Sequence, residues 1–540
     1  MAPRASSPRR GARDCADAAS CLKSVFQPEQ ALPRIPSAST FQACSPVEQA
    51  CKEYMTQISV RRGLTWMALS QGGGFVIGLA GSIAIARLLT PWEMGVYAVA
   101  AAIVGLLAVL RSFGLSNFLI RETELFPAVM ATAFTINAGL SLLSASLLFG
   151  LSEFAGAGLG DVGTKRVLHV LSLSPLFTIF AFLPSARLER NGGFRLIGLV
   201  NLACGAVNTG LTLFLAFNGL SYMSIAWGNL AASAFGALCL NVVGWRFVSL
   251  RVGLSDWRRV GTFGLQMLTL SGVMSAADRL PDLLLGRIAG LAALGLYSRA
   301  AGLHSMLWDN LHLMIGRIVF VDFAERCRRG MSLRDSYLRI IAMLTALLWP
   351  AFAGLAILSG PVVHTLYGAN WISAALPLSL LSMAGLLLTA VSMVWEIYMV
   401  RREAAAQLRF QLKRTAISLM LFSLGCLGGL VWAAASRIAD AVVTILLCKD
   451  DLRRMTDTRV SDYQPIYLQS AGLTVVACGP TALLMAANSW SEQTSLPAIF
   501  ASVAVGVCGW LAGLWMLQHP LADELRLLRG RIFHALGLTG

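Results

Sequence analysis

After Arg62 the chain alternates apolar stretches of about twenty residues, each long enough to cross a bilayer core, with short polar connections. The first set lies near Leu64–Ala86, Met94–Leu110, Ala128–Leu151, Val167–Ala186, Leu196–Phe217, Met223–Gly244 and Thr262–Ala277. The second lies near Ala292–Ile315, Tyr337–Leu358, Ala374–Val400, Ala416–Trp432, Ala433–Cys448, Ser470–Ala487 and Leu496–Leu517. The pattern predicts fourteen transmembrane helices. The tightest connection falls after Trp432, with a turn expected around Ser436 and Arg437. No connection leaves room for a soluble domain.

The two halves echo each other. Arg87-Leu-Leu-Thr-Pro-Trp-Glu-Met-Gly95-Val-Tyr97 returns as Arg287-Ile-Ala-Gly-Leu-Ala-Ala-Leu-Gly295-Leu-Tyr297, and Met67, Ala100 and Ala101 return as Met267, Ala300 and Ala301. The copies open at the first and seventh spans. Six crossings is an even number, so the halves run in the same direction and their symmetry axis lies along the membrane normal. The expected architecture is an all-α polytopic membrane protein with two six-helix lobes, residues 61–260 and 261–450, in a parallel pseudo-twofold repeat. Two further spans at 451–518 and a tail at 519–540 follow. Residues 1–60 are polar, rich in Ser, Pro and Arg, and expected to be disordered. Met55, ahead of a short basic lead-in, is an alternative start.

Composition agrees. Of 540 residues, 56% are hydrophobic and only 13% charged, with a mean hydropathy of +0.67; soluble domains carry about 25% charge. The net charge of +15 comes from basic residues scattered among short connections, which sets topology and does not build a nucleic-acid stripe. With a cytoplasmic amino terminus, the even-numbered connections hold most of the basic residues. This places both termini in the cytoplasm. The 11 cysteines show no metal-site spacing, and no metal or other cofactor is expected.

At Ile83-Ala-Ile-Ala-Arg-Leu-Leu-Thr-Pro-Trp-Glu-Met-Gly-Val-Tyr97, Phe113-Gly-Leu-Ser-Asn-Phe-Leu-Ile-Arg-Glu122, Pro281-Asp-Leu-Leu-Leu-Gly-Arg287 and Ala293-Leu-Gly-Leu-Tyr-Ser-Arg-Ala300, the chain resembles the Wzx-type oligosaccharide flippases of bacterial polysaccharide export. The resemblance covers about residues 56–520. It implies a fold shared with multidrug antiporters and the lipid II flippase. It also implies movement of a polyprenyl-diphosphate-linked oligosaccharide between leaflets for exopolysaccharide, capsule or O-antigen synthesis, with a polysaccharide polymerase and a chain-length regulator as partners. Where the family often carries an acidic residue this chain has Pro281, with Asp282 one place on and Asp278 three places before.

Such a cargo needs cations for its diphosphate. Arginine suits that task because its planar fork binds phosphate oxygens two at a time. The candidates are Arg299, inside a predicted span, with Arg87 and Arg287, placed alike in the two lobes, and Arg279. Arg87 and Arg287 also sit where an arginine simply snorkels to the interface. Coupling to a proton or sodium gradient needs carboxylates within the membrane; the candidates are Glu396, Asp282, Asp309 and Asp440. Asp440 is equally placed to pair with Arg437 one turn away, and His304 and His312 to pack as neutral rings. Two rival readings remain: a multidrug cation antiporter on the same fold, and a membrane-embedded glycan polymerase or ligase. The short, nearly uncharged outward connections weigh against the enzyme.

Overall fold

The computed structural model describes residues 70–111, 113–121, 126–158, 162–244, 251–255, 257–523 and 526. The polar segment 1–60, the alternative start at Met55 and most of the tail 519–540 lie outside the described residues. Every regular element among the described residues is a helix. In the first half these are α1 (Ser70–Leu88), α2 (Pro91–Arg111), the short α3 (Leu115–Arg121), α4 (Pro127–Gly158), α5 (Val162–Leu171), α6 (Ser174–Arg190), α7 (Phe194–Phe217) and α8 (Met223–Val243). The second half holds α9 (Trp257–Ile288), α10 (Leu291–Arg328), α11 (Arg334–Ile357) and α12 (Ser359–Tyr367), then a 3-10 turn (Ala369–Ala374). It continues with α13 (Ala375–Thr389), α14 (Val394–Val400), α15 (Ala404–Leu427) and α16 (Leu430–Thr456), and α17 (Val460–Ala487) and α18 (Leu496–Met516) close the chain.

Eleven helical segments are long and apolar enough to cross a bilayer, counting α5 with α6 as one and the 3-10 turn with α13 and α14 as another. Three further long helices, α9, α10 and α15, coincide with the remaining expected spans and carry charges in their interiors, among them Asp282, Arg299 and Arg414. The helices also outrun the apolar stretches. Arg409, Lys413 and Arg414 continue α15, and Lys449, Arg453 and Arg454 continue α16, where connections were expected. An apolar stretch stops at the first charge, but a helix does not, and long basic side chains can reach out along it. The turn expected at Ser436–Arg437 lies instead at Gly428–Gly429. Gly429 adopts φ +91° there, a conformation that a side chain would strain. Arg437 is therefore well inside α16.

Two spans are interrupted. The fourth breaks at Ser172–Leu173, where Pro175 in the first turn of α6 cannot donate to a continuing ladder. The tenth breaks between Ala390 and Met393, which is left-handed at φ 64°. Bare carbonyls are costly in a bilayer. Here side chains cover them: Tyr467 donates to Ala390 O at 2.8 Å and Tyr337 to Ser392 O at 3.2 Å.

The repeat in the sequence is a repeat in packing. In the first half α1 lies on α7, with Gly73 against Leu202 and Gly81 against Thr209; α2 packs on α5, α4 on α5 and α6, α6 on α8, and α7 on α8. In the second half α9 lies on α15, α10 on α13, α11 on α13, α13 on α16, and α15 on α16. These are the same pairings six spans later. α17 packs on α11, and α18 on α17.

The halves meet through the repeated segment itself, where α2 crosses α10. A Cβ added at Gly95 would lie 1.8 Å from Leu291 O, and one at Gly295 would lie 1.8 Å from Pro91 O. Positions 91 and 291, and 95 and 295, are each 200 apart, so the contact is reciprocal about the pseudo-twofold. Around it Ala86, Met94 and Val99 share one buried cluster with Leu294, Ala300 and Trp371. Trp371 Nε1 donates to Ala86 O at 2.7 Å and Arg87 Nε to Leu366 O at 3.1 Å. At the opposite end, Val260 of α9 joins the cluster of Leu115, Phe118 and Leu183, and Phe113 lies against Gly264. The lobes are thus in contact at both ends.

Overpacking a fitted contact costs about 1–3 kcal/mol. Gly95→Ala and Gly295→Ala should each lower the thermal-unfolding midpoint of the purified protein. The double variant should lose less than the sum, because one methyl already spreads the crossing. Gly302→Ala, with nothing within 4 Å of the added carbon, serves as the control. Strict additivity would show that the two contacts are independent.

Candidate functional site

Among the described residues, a concentration of charge inside the helical bundle lies within the second lobe. α9, α10, α13, α15 and α16 enclose a chamber of about 540 Å³. Three carboxylates (Asp278, Asp282, Asp440) and three guanidiniums (Arg279, Arg414, Arg437) line it, together with His304. Asp278, Arg279 and Asp282 come from one stretch of α9 around Pro281, so one helix supplies both signs. α16 adds Arg437 and Asp440 one turn apart on its inner face.

Arg437 is the most constrained of these groups. Its Nε donates to Tyr297 Oη at 3.1 Å and its Nη1 to Ser418 Oγ at 3.2 Å, with Asp440 at 4.0 Å. Its guanidinium lies 4.3 Å from the centre of the Phe422 ring, where the ring face favours a cation. The corresponding tyrosine of the first lobe, Tyr97, accepts instead from Asn229 Nδ2 at 2.6 Å. The same helix pair therefore carries a neutral bond in one lobe and a charged one in the other.

Three buried polar atoms facing this chamber, Asp440 Oδ1, Thr415 Oγ1 and His304 Nδ1, have no hydrogen-bond partner among the described residues. Orphaned groups of this kind are costly in a dry interior. The His304 ring stacks on Phe352 with centres 5.1 Å apart. Beyond Gln411 and Arg414 a second chamber of about 240 Å³ holds Glu396, Gln407 and Thr444. Arg414 borders both chambers and donates from Nε to Thr444 Oγ1 at 3.0 Å. Glu396 is buried, its carboxylate against Gly316 of α10.

The residues singled out in the sequence fall into three places. Arg279, Asp282 and Asp440 line the first chamber and Glu396 the second. Arg279 also reaches across to α2, where a Cβ on Gly105 would come within 2.7 Å of its Nε. Arg299 lies in neither chamber. It bridges the lobes, with Nη1 donating to Ser82 Oγ at 2.7 Å and Nη2 3.7 Å from Met94 Sδ, beside Tyr367 and Tyr97. Arg87 and Arg287 are exposed at the Gly95–Gly295 end of the bundle; Arg87 donates to the Thr365 and Leu366 carbonyls. The side chains of Asp309 and His312 lie outside the described residues. Arg414 and Gln411 were not singled out, and Arg437 only as a partner for Asp440. The available signal was a basic residue within one turn of a long apolar run, easily read as loop charge.

Residues 84–376 match a family model described as polysaccharide biosynthesis protein. The chain is 23% identical over 370 residues to the lipopolysaccharide biosynthesis protein WzxC of Escherichia coli (strain K12), covering 67% of this chain and 74% of the relative. It is 26% identical over 342 residues to the succinoglycan biosynthesis transport protein ExoT of Rhizobium meliloti (strain 1021), covering 62% and 68%. The fold is similar to that of the lipid II flippase MurJ in an inward closed conformation, with a TM-score of 0.69 at 15% identity over 84% of this chain and 99% of that one.

Breaking a buried ion pair by removing one partner costs on the order of 3 kcal/mol, because the other charge is left uncompensated. Arg437→Met should therefore destabilise the protein markedly in SDS-induced unfolding. Arg437→Met combined with Asp440→Asn should recover at least half of that loss. A double variant no better than the single one would mean that the Tyr297 and Phe422 contacts, and not the charge, hold this corner.

Proposed function

Because the chain belongs to the polysaccharide biosynthesis protein family, matched over residues 84–376 of its 540, we propose that it is a flippase. Its cargo is a polyprenyl-diphosphate-linked oligosaccharide destined for exopolysaccharide, capsule or O-antigen, and it moves by alternating access. The observation that carries this reading is the reciprocal Gly95–Gly295 seam closing one end of two like-built lobes beside a charged chamber. A chamber of about 540 Å³ is of small-ligand size. An oligosaccharide on a diphosphate therefore needs the lobes to part.

In this reading the chain makes fourteen crossings of a bacterial inner membrane with both termini in the cytoplasm, and the Gly95–Gly295 seam faces the periplasm. Similarity to the succinoglycan biosynthesis transport protein of Rhizobium meliloti supports a carrier over a polymerase or ligase. A polymerase and a chain-length regulator are the expected partners on the far side. Arg299 acts at the seam. When the lobes separate it loses Ser82 and is freed to grip phosphate oxygens with its planar fork. Arg279, between α9 and α2, is placed to do the same one layer deeper, while Arg87 and Arg287 stand at the seam's mouth. Asp282 and Asp440, with Glu396 beyond Arg414, supply the carboxylates on which a proton or sodium ion can be carried; Asp309 of α10 completes that set of candidates. The chamber sets three guanidiniums beside its three carboxylates, and the family match favours a glycan cargo over the cationic drugs of an antiporter.

Deleting the gene should leave lipid-linked repeat units on the cytoplasmic leaflet while their synthesis continues. A deletion strain that assembles every surface glycan but becomes sensitive to cationic drugs would instead establish the antiporter. Arg299→Ala should abolish complementation at normal expression and Arg299→Lys should restore only part of it, since an ammonium lacks the fork. Full glycan export by Arg299→Ala would remove that residue from the mechanism.

A further inference from the structure

Where the last two helices leave the second lobe, α16 and α17 diverge from the turn at Asp457–Thr458, Asp457 being left-handed at φ 57°. Between them opens a groove of about 790 Å³, larger than the charged chamber. One wall is an aromatic ladder. Trp349 stacks on Tyr467 with ring centres 5.6 Å apart, and Tyr467 on Tyr463 at 5.7 Å. The other wall is the outer face of α16, ending in Lys449 and Arg453 one turn apart. Leu468, on the groove's edge, is 66% exposed, so in a membrane the groove opens sideways onto acyl chains.

The charges at this corner are sorted. Those turned toward the bundle are paired: Arg454 binds Glu403 at 2.6 Å and Asp451 at 3.4 Å, Arg401 donates to Met455 O, and Tyr398 donates to Asp451. Lys449 and Arg453, turned toward the groove, make no ion pair among the described residues. Asp450 shares their rim, which leaves it with one net positive charge. Also lining the groove, the Trp349 indole Nε1 is a buried donor without an acceptor among the described residues. A cationic rim, an unused donor and an apolar aromatic wall in one groove offer partners for the parts of a phospholipid: phosphate, ester carbonyl and acyl chain.

We propose that this groove is a specific site for an anionic phospholipid of the leaflet at the basic end of the bundle. Its phosphate lies between Lys449 and Arg453, an ester oxygen accepts from Trp349, and one chain lies along Tyr467 and Leu468. The floor of the groove includes Val391, in the break of the tenth span, and that same residue borders the chamber that holds Glu396. A bound lipid therefore braces the break from the side opposite the carboxylate. This inference requires only that the chain sits in a bilayer and stands apart from the cargo proposed above.

The test is retention of dioleoyl phosphatidylglycerol by the full-length purified protein in native mass spectrometry, with dioleoyl phosphatidylcholine as the neutral comparison. One phosphatidylglycerol should be held in preference to phosphatidylcholine. Lys449→Ala with Arg453→Ala should weaken retention by about thirtyfold, from the usual contribution of a basic residue to anionic-lipid binding. Ala471→Trp, which fills the groove and leaves the rim intact, should also abolish it. Lys449→Arg with Arg453→Lys should preserve it. Arg409→Ala with Lys413→Ala, which removes two basic residues from the neighbouring face, should change it less than twofold. Equal loss in that control would show diffuse attraction and overturn the site. So would undiminished retention by Ala471→Trp, or displacement of the lipid by millimolar inorganic phosphate.

Discussion

Two backbones touch at Gly95 and Gly295, and the rest of the molecule is arranged around that approach. Within a membrane there is little hydrophobic force to press two apolar lobes together, so close packing over small residues does the work. The seam can be tight because each glycine admits the other helix's first-turn carbonyl, those of Leu291 and Pro91. It can also open, because it depends on surface fit with few strong bonds. Arg299 to Ser82, Trp371 to Ala86 and Arg87 to Leu366 hold it at the edges, and each partner finds water or another acceptor once the helices part.

The duplicated architecture has diverged in chemistry. The tyrosine that ends each repeat motif meets an asparagine in the first lobe and an arginine in the second. The second lobe, whose chamber gathers Asp278, Asp282, Asp440, Arg414 and Arg437, is the charged one. One of two like-built lobes thus carries the chamber of ionisable groups.

Much of this was legible in the chain before folding was considered. Spacing of 200 between like residues is a property of the sequence, and a repeat separated by an even number of crossings has its axis determined. The polysaccharide-export resemblance at Ile83–Tyr97 and Pro281–Arg287 agrees with the family match. Other features were hidden for physical reasons. Arg414 and Arg437 look like loop charges because hydropathy sees a cation as the end of a span, whereas the helix continues and turns that cation inward. Arg299 announces itself as a charge within a span, but which face of α10 it occupies depends on how two lobes cross, a tertiary fact. Asp282, beside a proline in α9, could be placed on its helix but not in its chamber until α15 and α16 were seen to close over it.

The hydroxyl of Tyr467 covers Ala390 O in the broken tenth span, and Tyr467 belongs to α17, beyond the paired lobes. The appended hairpin is therefore more than a lipid-facing ornament added to a finished twelve-crossing protein. A form shortened after Thr456 would leave the Ala390 peptide oxygen uncovered at one of the two places where a spanning ladder is interrupted.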